Sequence, residues 1–195
     1  MMTMSTQTPW GKSDSSTKLA PGIMRYTTPG HGGFHVSKTK NVLIHQSWRK
    51  DSGWYEEDCE WVIVAFTFPK FFISSKNDVS IESIIAIAKD QYPDEYTLIT
   101  GRKVSLDESH VLRYRADTLK HINDWIAVSA VGDWHHQVPA GKVGITAAKG
   151  GHSIVDKARR YFLIDSTSYD DKANWSLIGY LVQPTDLEVE APFTA

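Results

Sequence analysis

Two histidines flank a glycine pair in the segment Pro29-Gly30-His31-Gly32-Gly33-Phe34-His35. Two imidazoles and one carboxylate can hold zinc or another divalent cation, and three protein ligands leave a coordination position for water. Glu57 or Asp58 would supply the carboxylate that completes a His31/His35 set, Glu57 being the favoured one. Such a centre would make the chain a metal-assisted hydrolase. The glycines count against it, because Gly32-Gly33 disfavours the helix that aligns two histidines in the familiar zinc-protease motif. A glycine-rich turn whose histidines hydrogen-bond to backbone explains the same residues without a metal.

Cys59 is the only cysteine. With His31 or His35 as base, and Glu57 nearby, it could serve as a nucleophile. However, Tyr55, Cys59, Val62 and Phe66 fall at helical spacing, and a thiol on such an apolar face behaves as a small hydrophobe. The carboxylates Asp51, Glu56, Glu57, Asp58 and Glu60 crowd the start of the same expected helix, where its dipole favours them. Their exposed members can also steer a basic partner. Glu56, Glu57, Asp58, Glu60 and Trp134 are therefore the expected binding residues. His135, His136 and His152 read as solvent-exposed residues in turns of the C-terminal sheet, and because adjacent side chains on a strand face opposite sides, His135 and His136 would rarely share a ligand. Lys157, Arg159 and Arg160 could meet phosphate, although basic residues on a solvated strand edge are the plainer reading.

These residues must be positioned by a definite order of elements. Residues 1–18 read as a flexible polar lead-in, with Trp10 able to tether it and with Met1, Met2 and Met4 leaving the translation start ambiguous. Pro21-Gly22 and Pro29-Gly30 are turn signals. Val36 to Trp48 reads as a strand and a loop. A central helix is expected from Trp54 to Phe66, ending before Pro69, with a buried strand as the competing reading. The Pro29–His35 turn should pack against that helix. A second helix is expected from Asp78 or Ser80, carried by Ile81, Ile84, Ile85 and Ala88 and stopped at Tyr92-Pro93. Leu98-Ile99 and Val104 suggest a hairpin turning near Gly101-Arg102. Strands are then expected at Trp125–Val131, Val143–Ala147, Tyr161–Ile164 and Leu177–Val182. The fold class is α+β, with helices in the N-terminal half packed on or beside an antiparallel sheet formed largely by the C-terminal half. Residues 19–195 form one domain, divisible into a helix-rich 19–109 and an antiparallel β 110–195.

Composition sets outer limits. Of 195 residues 41% are hydrophobic, so a core can form without staples, and one cysteine rules out an internal disulfide. A formal net charge of −2 argues against sequence-specific nucleic-acid binding. No apolar run is long enough to span a membrane, and the N-terminus has no secretory pattern, so a cytoplasmic location is expected.

Several segments together resemble a known group. They are Leu19-Ala20-Pro21-Gly22-Ile23, Thr28-Pro29-Gly30-His31-Gly32-Gly33, Gly53-Trp54-Tyr55-Glu56-Glu57-Asp58-Cys59-Glu60-Trp61 and Tyr92-Pro93-Asp94. Gly132-Asp133-Trp134, Val138-Pro139-Ala140-Gly141 and Arg160-Tyr161-Phe162-Leu163 extend the resemblance over nearly the whole chain. It is to a bacterial family of unknown function encoded mostly on plasmids, integrative elements and phages. The resemblance implies no activity and no cofactor. What it implies is context, since small accessory proteins of mobile elements often block host defences by occupying a surface of the defence complex. The expectation is an inhibitor of a CRISPR or restriction complex, acting by direct protein binding rather than as an enzyme. The alternative is the metal-assisted hydrolase built on His31 and His35.

Overall fold

The structure is a computed structural model that describes residues 5–73, 79–153, 158–190 and 193. Of the residues singled out above, Met1, Met2, Met4, Asp78 and Lys157 lie outside the described residues. The chain divides into two compact units, Met1–Val111 and Leu112–Ala195.

Within the stretch read as a polar lead-in, the described residues of the first unit include strands. β1 (Gln7–Thr8) and β2 (Gly11–Lys12) form a small hairpin, closed by the Thr8 hydroxyl donating to the Gly11 carbonyl at 2.8 Å. β3 (Ser15–Ala20), β4 (Ile23–Thr27) and β5 (Gly32–Val36) then run antiparallel. At the β4–β5 turn the Thr28 N–H and hydroxyl both donate to the His31 carbonyl at 2.7 Å. His31 thus ends the turn, while Gly32 to His35 are strand. A short helix, α1 (Lys38–Asn41), stands where strand was expected to continue. β6 (Trp54–Glu56) completes the sheet in the order β3-β4-β5-β6.

The expected helix from Trp54 is therefore split. Gly53, at φ +70°, turns the chain back onto the free edge of β5. Trp54, Tyr55 and Glu56 then alternate in burial as a strand requires, and helix begins only at α2 (Trp61–Thr67). Alternation also gives the sheet two faces. Ile23, Phe34, Val36 and Tyr55 point into a core closed by Val62, Val64 and Ala65 of α2. Tyr26, His35 and Trp54 lie on the opposite face, where Trp10 meets Trp54 edge to face at 5.8 Å.

α3 (Ile81–Gln91) starts as expected at Ser80, whose hydroxyl and that of Ser83 cap each other's backbone N–H. Tyr92-Pro93 does stop it, yet Pro93 at once opens α4 (Pro93–Thr100), taking the first helical position where its missing N–H costs nothing. Gly101, left-handed at φ 71°, ends α4. Leu98 and Ile99 are thus helical, and no hairpin turns at Gly101-Arg102. α5 (His110–Lys120) was not foreseen. Its first residue is held from a distance, with the His110 N–H donating to Asp90 Oδ1 at 2.6 Å and the ring Nδ1 2.7 Å from Oδ2. The boundary between the units falls inside α5.

The second unit holds β7 (Trp125–Val131), β8 (Lys142–Lys149) and β9 (Arg160–Asp165), then α6 (Ser166–Asp170). A two-residue hairpin follows, β10 (Trp175–Ser176) with β11 (Gly179–Tyr180), and then β12 (Leu187–Val189). The sheet order is β12-β9-β8-β7, antiparallel throughout. Of the strand expected at Leu177–Val182, only Gly179 and Tyr180 pair as a strand. Ile145, Ala147, Phe162, Ile164 and Tyr180 form the core.

The class is α+β. The expected division into N-terminal helices and a C-terminal sheet is met only in part, because the first unit has a four-stranded sheet of its own. No helix among the described residues is long and apolar enough to cross a membrane.

Candidate functional site

The glycine pair is a space requirement of β5. A Cβ at Gly32 would lie 2.5 Å from Glu57 Oε2, and one at Gly33 would strike the Trp10 ring and the Tyr55 carbonyl oxygen. Missing side chains thus let a carboxylate lie over the strand on one face and an indole on the other. The Glu57 N–H donates to the Gly32 carbonyl at 3.1 Å, which holds the start of the 57–60 turn beside His31.

This close approach assembles a group. Ligand atoms of His31, Glu56 and Asp58 all lie within 4.8 Å of one another. Glu56 has two unlike oxygens. Its Oε2 accepts from the Asp58 N–H at 2.7 Å, the Cys59 N–H at 3.1 Å and the Cys59 thiol at 3.5 Å. Its Oε1 is enclosed and has no hydrogen-bond partner. Burial pushes the Glu56 carboxyl upward, but the two amides, the thiol and the His31 charge outweigh it and leave the pKa below the ordinary value.

The other residues singled out from the sequence are placed differently. His35 is not in the group: it lies against the Trp54 ring at 4.6 Å, and burial lowers its pKa. Glu57 is 3.5 Å from Arg25, and Glu60 grips Lys50 through both oxygens at 2.6 and 2.8 Å. His31, His35 and Glu57 therefore do not form the ligand set expected of them. The acidic run is also less open than its composition suggests, since two of its carboxylates are paired within the chain.

Cys59 is exposed, not buried on a helix, because the segment carrying it is the 57–60 turn. Desolvation raises its pKa, and the hydrogen bond and charge of Glu56 raise it further. A thiol held protonated in this way is a poor nucleophile. It lines an open cleft of about 470 Å³ together with Trp10, Lys50, Trp54 and Glu56.

In the second unit Trp134 is 78% exposed. Its turn is braced by the His135 N–H donating to the Gly132 carbonyl at 3.0 Å and the Gly141 N–H donating to Asp133 Oδ2 at 2.9 Å. Val131, His136 and Phe193 join Trp134 around a recess of about 480 Å³. His135 was expected to be exposed and on the side opposite His136. Both do sit in a turn, but there His135 is buried and the two rings lie 4.6 Å apart. His152 is exposed, as expected. Arg160 lies over the Trp125 ring at 4.7 Å and pairs with Glu188 across the sheet, a structural use of its charge.

One buried titratable residue escaped the sequence reading. His121 has Nδ1 2.7 Å from Asp124 and Nε2 3.6 Å from Asp117. The spacing Asp117, His121, Asp124 on a helix and its end was the available signal.

No curated protein and no solved structure matches the chain. A family described as a domain of unknown function (DUF7007) matches residues 3–122, which takes in all of β3–β6, the His31 group and α5. That span is more than half of the 195 residues, and the chain belongs to this family.

Proposed function

We propose that this chain is an accessory protein of a mobile element that acts by binding, occupying a surface of a host defence complex of CRISPR or restriction type inside the host cell. The observation that carries the reading is Trp134. An indole left 78% exposed on a braced turn, beside an apolar recess, is the kind of side chain that anchors protein interfaces. Asp58, exposed and without a lysine or arginine partner among the described residues, is the member of the acidic run best placed to steer a basic partner. The test compares retention of host defence components by the tagged wild type and by Trp134→Ala, followed by direct affinity measurement. A hot-spot tryptophan is worth about 2 kcal/mol or more, so the variant should bind roughly 30-fold more weakly. Equal affinity, or no defence component retained by the wild type, would overturn the reading.

A second reading, the metal-assisted hydrolase, draws on His31, Glu56 and Asp58 in place of the His31, His35 and Glu57 set. Cation-dependent hydrolysis that disappears in His31→Ala would support it, and its absence across ester and phosphodiester substrates would remove it.

A further inference from the structure

We infer that His31, Glu56 and Asp58 form a site for one divalent transition-metal cation, zinc or manganese, which ties the β4–β5 turn to the turn after β6. The site does not rest on the protein-binding reading, whose carrying residue is Trp134 in the second unit, although the two share Asp58.

Spacing is the first argument. Donor atoms bound at about 2.1 Å sit about 3.4 Å apart around a tetrahedral ion such as zinc, and up to about 4.2 Å apart where an octahedral ion such as manganese places two opposite one another. The three side chains already offer atoms within 4.8 Å of one another. His31 and Asp58 are both exposed, so small side-chain rotations close the remaining gap.

The second argument is an oxygen that lacks a partner. Glu56 Oε2 takes three donors, while the enclosed Oε1 takes none. Hydrogen bonds to one oxygen of a ligating carboxylate fix the orientation of the other, as the surroundings of metal sites do. A cation would supply the partner that Oε1 lacks.

Charge is the third. Among the described residues Glu57 has Arg25 and Glu60 has Lys50, but neither Glu56 nor Asp58 forms an ion pair with lysine or arginine. Two carboxylates and an imidazole thus converge with no lysine or arginine ion pair to either carboxylate among the described residues. An imidazole with carboxylates suits zinc or manganese, whereas calcium asks for six or more oxygens.

The test uses the full chain, stripped by chelation and dialysis and then titrated calorimetrically with Zn²⁺ and, separately, with Mn²⁺. One ion per chain is expected. His31→Ala and Asp58→Asn should each weaken uptake at least tenfold, while Cys59→Ser and the distant His152→Ala should leave it unchanged. Both ligand side chains are exposed, and circular dichroism checks that each variant folds. If either unfolds, the other carries the test. As an independent readout on the wild type, substoichiometric Mn²⁺ should broaden the His31 ring-proton signals before those of the other histidines. No uptake, uptake indifferent to both ligand variants, loss in Cys59→Ser, or broadening that begins at another histidine would each overturn the site.

Discussion

The two sheets use the same device for different ends. Each has glycine on an inner strand at a place where another segment lies against it. On β5, Gly32 and Gly33 admit the Glu57 carboxylate and the Trp10 indole, and the Tyr55 carbonyl also stands in the way of a Cβ at Gly33. On β8, Gly144 admits the ring of Phe193. In the first unit the close approach gathers polar groups: His31, Glu56 and Asp58 converge, and Glu57 and Glu60 find cations nearby. In the second unit it gathers apolar surface around Trp134 and Phe193. A missing side chain therefore says only that something comes close. The chemistry comes from what approaches, and that is set far away in sequence.

The sharpest way to break this comparison is to fill the glycines. Gly33→Ala must displace backbone as well as the Trp10 ring, so a loss of about 3 kcal/mol in urea unfolding is expected, at the upper end for overpacking. Gly144→Ala meets a side chain that can turn aside, and should cost about 1 kcal/mol. Gly30→Ala, with nothing within 4 Å of the added carbon, is the control and should be neutral. Equal losses at Gly33 and Gly144 would mean that β5 is not the more tightly covered strand.

Much of this contrast could not be read from the residues in order. The second helix and its serine cap were legible because Ser80, Ile84 and Ala88 act through neighbours three or four positions away. The strands β7, β8 and β9 were legible for the same reason at a period of two. Trp54 to Phe66 misled because Tyr55, Cys59, Val62 and Phe66 fit helical spacing, while what decides the segment is the free edge of β5 offered after Gly53. α5 was missed because its N-terminal hold is Asp90, twenty positions upstream. At the site, His31 was visible as a candidate ligand, but its association with Glu56 depends on the register that pairs Gly33 with Glu56. A one-residue shift of that register would have brought Glu57 to the same side, and no local pattern separates the two.

A second test concerns two buried tyrosines, one in each core. The Tyr55 hydroxyl donates to Asn41 Oδ1 at 2.7 Å and accepts from the Lys50 N–H at 3.1 Å. Asn41 is itself buried, so Tyr55→Phe strands its carbonyl oxygen and should cost about 2 kcal/mol. Tyr180 donates to Asp186 Oδ2 at 3.0 Å, and Asp186 keeps access to water. Tyr180→Phe should cost about 1 kcal/mol or less. Chemical denaturation of the two variants compares them directly, and a larger loss at Tyr180 would reverse the contrast in how closely the two units enclose polar groups.

The smallest expected effect separates two surface ion pairs. In the first unit Lys89 and Glu108 join α3 to the turn before α5, and their side chains are 25% and 36% exposed. In the second, Lys142 and Asp165 pair across β8 and β9 at 2.7 Å with 36% and 66% exposed. The Lys89 ammonium, followed by the Ser105 N–H and hydroxyl, holds Glu108 down to about 2 from its ordinary 4.5. Glu108 in turn raises Lys89 above its ordinary 10.5. The sign follows from linkage. A carboxyl depressed by folding contributes stability that is full above pH 4.5 and is lost as pH falls toward 2. A raised ammonium contributes stability that is full below pH 10.5 and is lost as pH rises through its folded value. The pair should therefore add a constant increment from about pH 5 to pH 10, reduced by salt because both groups face solvent. Glu108→Gln should lower Tm at pH 7 by on the order of 1 °C, and the gap to wild type should close as pH approaches 2. Asp165→Asn, at the more exposed pair, should change Tm by less. Melting curves taken at pH 7, 4 and 2 at low salt decide it. A Glu108→Gln gap that widens on acidification would show that Glu108 is not held ionised by Lys89.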